Sequence, residues 1–425
     1  MTEAPGSSGL RRHQTLTLGL LFLAGIVNFL DRSSLSIANT TVRAEMHLNA
    51  TQMGWLLSAF SFAYGIAQLP LIGLLDRVGT RAVLGGGLIL WSAAQMLTGL
   101  VRSLPTFLLL RVLLGIGEAP FYPSGIRSTR EWFSSFTRGR ATALMSSSQT
   151  IGLAVAPPVL TWIMLSIGWR AMFIVLGASG LIVAALWIAL HRARRDTVHA
   201  EPEEAQIATT AAPESAWLAL IRQRAVWGMM LGWGGVNYTV WLYLAWLPAY
   251  LQDQRHLSLT KSGWVAALPF IAGAIGMFSS GALSDYLAST GLALTTIHRR
   301  NLVFGMIASA TGTFVVAHSQ STAQAVAGTS AALFFIHFAG TSGWGYVQAI
   351  SPLRYVASLG ALQNFASFMI ASAAPVITGW LLDRTHSFTI ALGLCSAITF
   401  LGAISYATLA SPSGMHLDRE AETLR

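Results

Sequence analysis

The 425-residue sequence is poor in charge: Asp, Glu, Lys and Arg together make up 10% of it, whereas soluble domains carry about a quarter. It contains one lysine, Lys261, and one cysteine, Cys395. The lack of lysine tracts argues against a nucleic-acid partner despite the formal net charge of +9. A single cysteine excludes an intramolecular disulfide and a thiolate-bound metal cluster.

Long apolar segments dominate the sequence, 53% of which is hydrophobic. Twelve of them reach the length of about 20 residues that a helix needs to cross a bilayer. They fall at 16–39, 53–75, 82–101, 105–126, 141–165, 168–191, 225–251, 262–287, 301–318, 322–350, 356–381 and 388–410. We therefore predict an all-α membrane protein with twelve transmembrane helices, located as a multi-pass protein in the plasma membrane, the inner membrane of a bacterium.

Composition and charge divide the chain further. The polar stretch 192–223 is rich in Ala, Glu, Pro and Thr, so we interpret it as a cytoplasmic linker. It separates a six-helix bundle at 16–191 from a second bundle at 224–410, and residues 1–15 and 411–425 are predicted tails. With both termini in the cytoplasm, the cytoplasmic side holds roughly three times as many basic loop residues as the other side, which follows the positive-inside rule.

The two predicted bundles also resemble each other in sequence. Three residue pairs keep the same spacing of 209 positions: Asn28 and Asn237, Trp55 and Trp264, and Asp76 and Asp285. A shared spacing indicates duplication of a six-helix unit. Two such repeats around a central site are a recurring architecture of transporters.

Several short motifs carry a resemblance to a known family. "DRVGTR" at 76–81, "GALSD" at 281–285 and "RVLLGIGEA" at 111–119 resemble signatures of the major facilitator superfamily. "NFLDR", "SAFSFAYGIAQLP", "GEAPFYPSG" and "SSSQTIGLA" are similar to its anion:cation symporters, and the likeness covers 14–410. The resemblance implies the major facilitator fold and proton-coupled import of an organic anion by alternating access. Bacterial relatives take sugar acids such as galactonate, glucarate or hexuronates.

Four charged residues lie deep in predicted spans: Asp31, Arg32, Arg111 and Glu118. A charge at the bilayer centre costs about 2.5–3.5 kcal/mol, so such residues are functional candidates by default. Arg111 and Glu118 are seven positions apart and share one stripe of a helix, whereas Asp31 and Arg32 point about 100° apart. The alternative is a pair of ion bridges that only hold helices together.

Charge balance suggests roles for these four residues. We interpret Asp31 and Glu118 as proton-coupling sites, Arg32 as the residue that binds the substrate carboxylate, and Arg111 as a residue that tunes Glu118. A substrate anion that engages an arginine deprives a carboxylate of its counter-charge, and this carboxylate then takes up a proton. Anion and proton binding then favour each other, which is the basis of symport. Protons are the coupling ion, and no cofactor or metal is expected.

Neutral polar residues are further candidates for substrate binding. In the second half these are Asn237, Tyr238, Gln348, Asn364 and Trp344. The family resemblance adds Tyr64 and Gln149 from the first half. For each of them alone, a hydrogen bond between helices is an equally good interpretation. His337 fits a proton relay or a neutral histidine bonded to a neighbouring helix.

A last set of charges lies at the predicted cytoplasmic ends of spans: Asp76, Arg77, Glu131, Arg138 and Arg140. We interpret it as a cytoplasmic gate that closes this face in one conformation. Ordinary positive-inside anchoring would account for the arginines equally well.

Two alternative functions remain open on the sequence. An exchanger or exporter of organic anions, with tartrate, another dicarboxylate or an aromatic acid as substrate, would have the same fold. A membrane-embedded enzyme or receptor is disfavoured, because the sequence has no metal-binding His-Glu-x-x-His and no phosphate-binding Gly-rich loop. We therefore expect a monomeric transporter that is not an enzyme, with an organic anion, protons and the lipid bilayer as its partners.

Overall fold

The computed structural model describes residues 7–191, 220–351 and 355–410. Within these ranges the chain forms helices and turns and contains no strand, which confirms the predicted all-α class. Residues 1–6 of the predicted N-terminal tail, most of the predicted linker and the predicted C-terminal tail at 411–425 lie outside the described residues.

Helices follow one another along the whole described chain. The first half contains α1 (Ser7–Ile37), α2 (Asn39–Glu45), α3 (Ala50–Val78), α4 (Thr80–Thr98), α5 (Leu104–Glu118), α6 (Phe121–Trp132) and α7 (Ser135–Leu190). The second half contains α8 (Arg224–Ala249), a π-helical turn (Tyr250–Gln254), α9 (Leu259–Ser289), α10 (Leu294–Ala317), α11 (Thr322–Ile350), α12 (Val356–Thr385) and α13 (Thr389–Thr408).

The predicted spans coincide with these helices. Eight helical segments of the described chain are long and apolar enough to cross a membrane, and one of them, Phe136–Leu190, has 55 residues. Gly168 divides it, because its φ of 81° and ψ of 162° are not helical. Helices α3, α4 and α8, of 29, 19 and 26 residues, cover the remaining predicted spans. The twelve-helix prediction is therefore confirmed.

Local sequence signals mark where helices begin. Asn49 caps α3, and its side chain accepts a hydrogen bond from the backbone N–H of Gln52 while the Gln52 side chain accepts one from the Asn49 backbone. Ser321 and Gln324 make the same reciprocal pair at the start of α11. Such capping boxes satisfy backbone donors that a helix start leaves without partners.

Packing groups the helices into two compact units. The first unit contains residues 7–191 and 257–267, and the second contains 220–256, 268–351 and 355–410. In the first unit, α1 and α4 pack along α7, and α5 packs against α3 and α4. In the second unit, α10 packs against α11 and α13, and α8 packs against α12 and α13.

Two glycines bring α5 unusually close to its neighbours. A Cβ on Gly115 would collide with the backbone of Phe60 on α3, and one on Gly117 would collide with the backbone of Trp91 on α4. Small residues of this kind allow helix backbones to approach in a membrane bundle. The close approach determines where α5 presents Arg111 and Glu118 to the interior of the first unit.

Candidate functional site

Four charged side chains meet inside the first unit. Helix α1 supplies Asp31 and Arg32, and helix α5 supplies Arg111 and Glu118. Asp31 and Glu118 are 0% exposed, Arg111 is 2% exposed, and the Arg32 side chain is 11% exposed. Of these four residues, Arg32 therefore has the most accessible side chain.

Arg32 and Glu118 form a direct ion pair between α1 and α5. The Nε of Arg32 donates to Oε2 of Glu118 at 2.7 Å. The other carboxylate oxygen, Oε1, has no hydrogen-bond partner in the described part of the chain. Asn28 lies beside Glu118 without reaching ordinary hydrogen-bond geometry. The pair thus joins the two helices through one side of the Glu118 carboxylate.

Three aromatic rings surround the Arg32 guanidinium. Its Cζ lies 5.2 Å from the ring centre of Phe29, 5.2 Å from that of Phe60 and 4.7 Å from that of Tyr64. A cation over a ring face is attracted by the ring quadrupole, and the rings restrict the rotamers of a long side chain. Tyr64 is one of the predicted substrate-binding residues, whereas no sequence pattern singled out Phe29 or Phe60.

Arg111 also lies close to Phe60. Its Cζ is 5.1 Å from the centre of the Phe60 ring, and its Nε donates to the backbone carbonyl of Leu56 at 3.2 Å. Arg111 also interacts electrostatically with Glu118 and Asp31. The Phe60 ring therefore contacts both guanidinium groups of the cluster.

Asp31 is the least satisfied member of the cluster. Neither of its carboxylate oxygens has a hydrogen-bond partner among the residues that the structure describes. Glu118 and Arg111 are the charged groups that act on it. The cluster thus contains two carboxylates and two guanidinium groups. Its direct ion pair joins Arg32 and Glu118 and does not include Asp31.

Gln149, the other candidate in the first unit, lies half-buried on α7. The preceding residue, Ser148, packs closely against Gly25 of α1. This part of α7 therefore runs beside α1, one to two turns before Asp31.

The candidates of the second unit differ in exposure. Trp344 is 44% exposed and packs edge-on against Trp233 with ring centres 5.9 Å apart, and Gln348 is exposed one turn further along α11. Asn237 donates to the Ser367 hydroxyl at 3.0 Å, and Asn364 is partly buried.

Two residues predicted to take part in binding or proton transfer pack inside the second unit. Tyr238 is 2% exposed and lies near Cys395, so it belongs to the interior of this unit. The Nδ1 of His337 lies 2.9 Å from the Leu333 carbonyl on its own helix, and the ring packs against Gly273 of α9. The histidine thus bonds within its own helix.

At the ends of α3 and α6, Arg127 connects two of the predicted gate residues. Its Nη1 lies 2.7 Å from Oδ1 of Asp76, and its Nε lies 3.1 Å from Oε1 of Glu131. Arg127 was not predicted, although its position four residues before Glu131 is a recognisable helical pair. Arg77 and Arg140 are exposed and make no ion pair with the described residues, and Arg138 is half-buried on α7.

Two titratable groups lie outside the helical segments that are long and apolar enough to cross a membrane. The indole of Trp169 donates to Glu45 Oε2 at 2.5 Å and Arg170 donates to Oε1 at 3.0 Å, and these contacts, chiefly the first, hold the pKa of Glu45 below its ordinary value. Burial lowers the pKa of His191 to about 4, and the Arg81 cation acts in the same direction. The His191 ring stacks on Trp187 with centroids 3.9 Å apart.

Comparison with known proteins gives consistent matches over the length of the chain. A model of the Major Facilitator Superfamily matches residues 21–353. The chain is 45% identical to the "Probable L-galactonate transporter" of Escherichia coli (strain K12), over 94% of this chain and 90% of that protein. It is 30% identical to the "Probable galactarate/D-glucarate transporter GarP" of the same strain, over 92% of this chain and 93% of that protein.

A solved structure matches the fold. It is a bacterial homolog to the human lysosomal transporter Spinster, in an inward-facing and occupied conformation, with a TM-score of 0.78 and coverage of 94% of this chain and 97% of that one. The sequence identity is 17%, so this likeness supports the fold alone.

Proposed function

We propose that this chain, which belongs to the major facilitator superfamily, is a proton-coupled symporter that imports a sugar acid by alternating access. The predicted family is confirmed, and with it a multi-pass membrane transporter that is not an enzyme. Proton coupling, the direction of transport and the substrate are the parts that we propose.

The observation that carries the proposal is the Arg32–Glu118 ion pair. The arginine is partly accessible and the glutamate is fully buried, at 11% and 0% side-chain exposure. An anion can therefore reach the guanidinium while Glu118 stays away from solvent. Since arginine remains charged and binds carboxylates through paired N–H donors, a substrate carboxylate competes with Glu118 for the same cation.

This competition couples the anion to a proton. When the substrate draws the guanidinium away, Glu118 is left as a buried carboxylate without a direct counter-charge, and binding of a proton neutralises it. Asp31, which makes no direct ion pair with the described residues, is the second proton acceptor in the proposal. The substrate anion and the proton thus each favour binding of the other, as reciprocal linkage requires.

The substrate class follows from the relatives and fits the polar groups available. Both reported relatives are named as transporters of galactonate or of galactarate and glucarate. A sugar acid carries one carboxylate for Arg32 and several hydroxyl groups for neutral donors and acceptors. Gln149 of α7, in the same unit as Arg32, is a half-buried group of this kind. L-galactonate is therefore the first substrate to test.

The test uses purified protein in proteoliposomes loaded with and without unlabelled L-galactonate. In wild-type vesicles, an inward proton gradient should drive accumulation of labelled substrate. Glu118→Gln should abolish that accumulation but retain exchange of labelled for unlabelled substrate, because exchange needs no net proton movement. Glu45→Gln is the matched control, since Glu45 lies in the same unit but at its surface, 47% exposed.

Two outcomes would contradict the proposal. Unchanged gradient-driven accumulation by Glu118→Gln would remove Glu118 from the coupling scheme. Wild-type uptake that is independent of the proton gradient but is stimulated by unlabelled substrate inside the vesicles would identify an exchanger instead.

A further inference from the structure

Polar side chains of α1 and α4 face each other in the interior of the first unit, where the Gln95 side chain reaches Ser34. Asp31 and Ser34 share one face of α1, since they are three residues apart, and Ser92 and Gln95 do so on α4. Trp91 lies one turn before Gln95 on the same face of α4, and Asn39 is the first residue of α2. We call this set the α1–α4 seam: Asp31, Ser34, Asn39, Trp91, Ser92 and Gln95.

Two contacts determine how the helices of the seam face each other. The Nε2 of Gln95 donates to the Ser34 hydroxyl at 2.9 Å. A Cβ added to Gly180 on α7 would touch both Ser92 and Val27, so these two residues are also neighbours. Asp31 lies along α1 between Val27 and Ser34, and the polar face of α4 therefore runs past it.

The seam contains buried polar atoms that the described chain leaves without hydrogen-bond partners. These atoms are both carboxylate oxygens of Asp31, both amide atoms of Asn39, Trp91 Nε1, Ser92 Oγ and Gln95 Oε1. All five residues are 0% exposed. Buried polar groups are normally hydrogen-bonded, and inside a membrane bundle internal water is the remaining source of partners.

We infer that ordered water fills the α1–α4 seam and carries protons to Asp31 from the Ile37 end of α1. From Asp31 to Asn39 the route covers eight residues, about 12 Å along a helix, a distance that a few hydrogen-bonded waters bridge. Beyond Asn39, Thr40 and Thr41 are partly exposed and connect the seam to the surface. The predicted topology places that end of α1 outside the cell.

The route is separate from the side chain that binds the substrate. Asp31 and Arg32 point about 100° apart on α1, and Arg32 turns to Glu118 and the aromatic rings. A proton that moves along the water chain ends on a carboxylate oxygen of Asp31. The water outside the protein supplies the next proton at the entrance of the chain. Proton delivery then does not require the substrate site to be open. This inference rests on the proposed function only in taking Asp31 as a proton acceptor.

The first experiment detects the water itself in the wild-type protein. Millisecond X-ray radiolysis converts bound water to hydroxyl radicals, which oxidise adjacent side chains, and tryptophan is a sensitive reporter. Trp91 should be oxidised despite its burial. Trp187 is the matched control, because it is equally buried in the same unit but donates its indole N–H to the Arg81 carbonyl at 3.2 Å. Oxidation of Trp91 no faster than that of Trp187 would overturn the inference.

The second experiment tests proton delivery. Gln95→Met removes the amide from the seam, and Gln363→Met makes the same change at another residue of 0% exposure, in the second unit. Gln95→Met should slow gradient-driven uptake several-fold, leave substrate exchange unchanged and reduce oxidation of Trp91, whereas Gln363→Met should do none of these. Normal gradient-driven uptake by Gln95→Met would refute the water route but not the proposed symport. Absence of proton-driven uptake by the wild-type protein would instead refute the proposed symport.

Discussion

Replacing Arg32 with lysine separates the charge of this residue from its geometry. Arg32→Lys keeps a cation near Glu118, which now accepts a hydrogen bond of 2.7 Å from the arginine. Lysine is a compact ammonium without the planar set of donors that holds a carboxylate by two parallel bonds. The ion pair in the empty protein should therefore survive the substitution, while binding of the substrate carboxylate should weaken.

The size of the effect follows from the contact that is lost. One hydrogen bond between charged partners contributes about 1.5–3 kcal/mol, which corresponds to a roughly 10- to 150-fold increase in the Kd of the substrate. The ring contacts of Arg32 with Phe29, Phe60 and Tyr64 add little to this difference, because they are present before the substrate arrives.

Isothermal titration calorimetry of the purified protein with L-galactonate measures the Kd directly. Arg170→Lys is the control, because Arg170 lies in the same unit and pairs with Glu45, which is partly exposed. Its Kd should equal that of the wild type. A Kd for Arg32→Lys within about twofold of the wild type, less than about 0.5 kcal/mol, would refute the assignment of Arg32 as the substrate ligand.

Three further changes test other parts of the structure. Arg127→Gln breaks two ion pairs but should lower the free energy of unfolding by less than about 1 kcal/mol, because the arginine and its partners are partly exposed. A larger decrease, measured by thermal unfolding, would contradict this expectation. Burial of neutral His191 stabilises the fold fully above pH 6.5, and this stability falls as pH drops towards 4, by roughly 3 kcal/mol. His191→Phe should therefore flatten the decrease in Tm between pH 6.5 and 4, and an unchanged decrease would exclude His191 as its source. Gly168→Ala should destabilise the protein by about 1–3 kcal/mol, because a φ of 81° with a ψ of 162° is accessible essentially to glycine alone. Gly139→Ala, also in open space on α7, should not destabilise it, and equal Tm changes would refute the role of φ.

The charged groups show how far the sequence predicts the site. Asp31, Arg32, Arg111 and Glu118 were found from the sequence because ionisable residues within apolar spans are costly and therefore informative. Phe29 and Phe60 were not predicted, because aromatic residues are common in membrane helices. The packing of the helices shows that their rings lie beside Arg32. Arg127 was also not predicted: its pairing with Glu131 is visible as an i, i+4 spacing, whereas its pairing with Asp76 of α3 depends on packing.

The sequence by itself determined which segments are membrane helices. Lipid offers no hydrogen bonds to the backbone, so long apolar runs must become helices whatever their neighbours are. Tertiary structure alone decided that Glu118 pairs with Arg32 of α1 and not with Arg111, which shares its helix stripe. Which arginine pairs with Glu118 depends on the position of α5 between α3 and α4. Close backbone contacts at Gly115 and Gly117 determine this position, and their partners on α3 and α4 are distant in sequence, so local sequence patterns do not predict them.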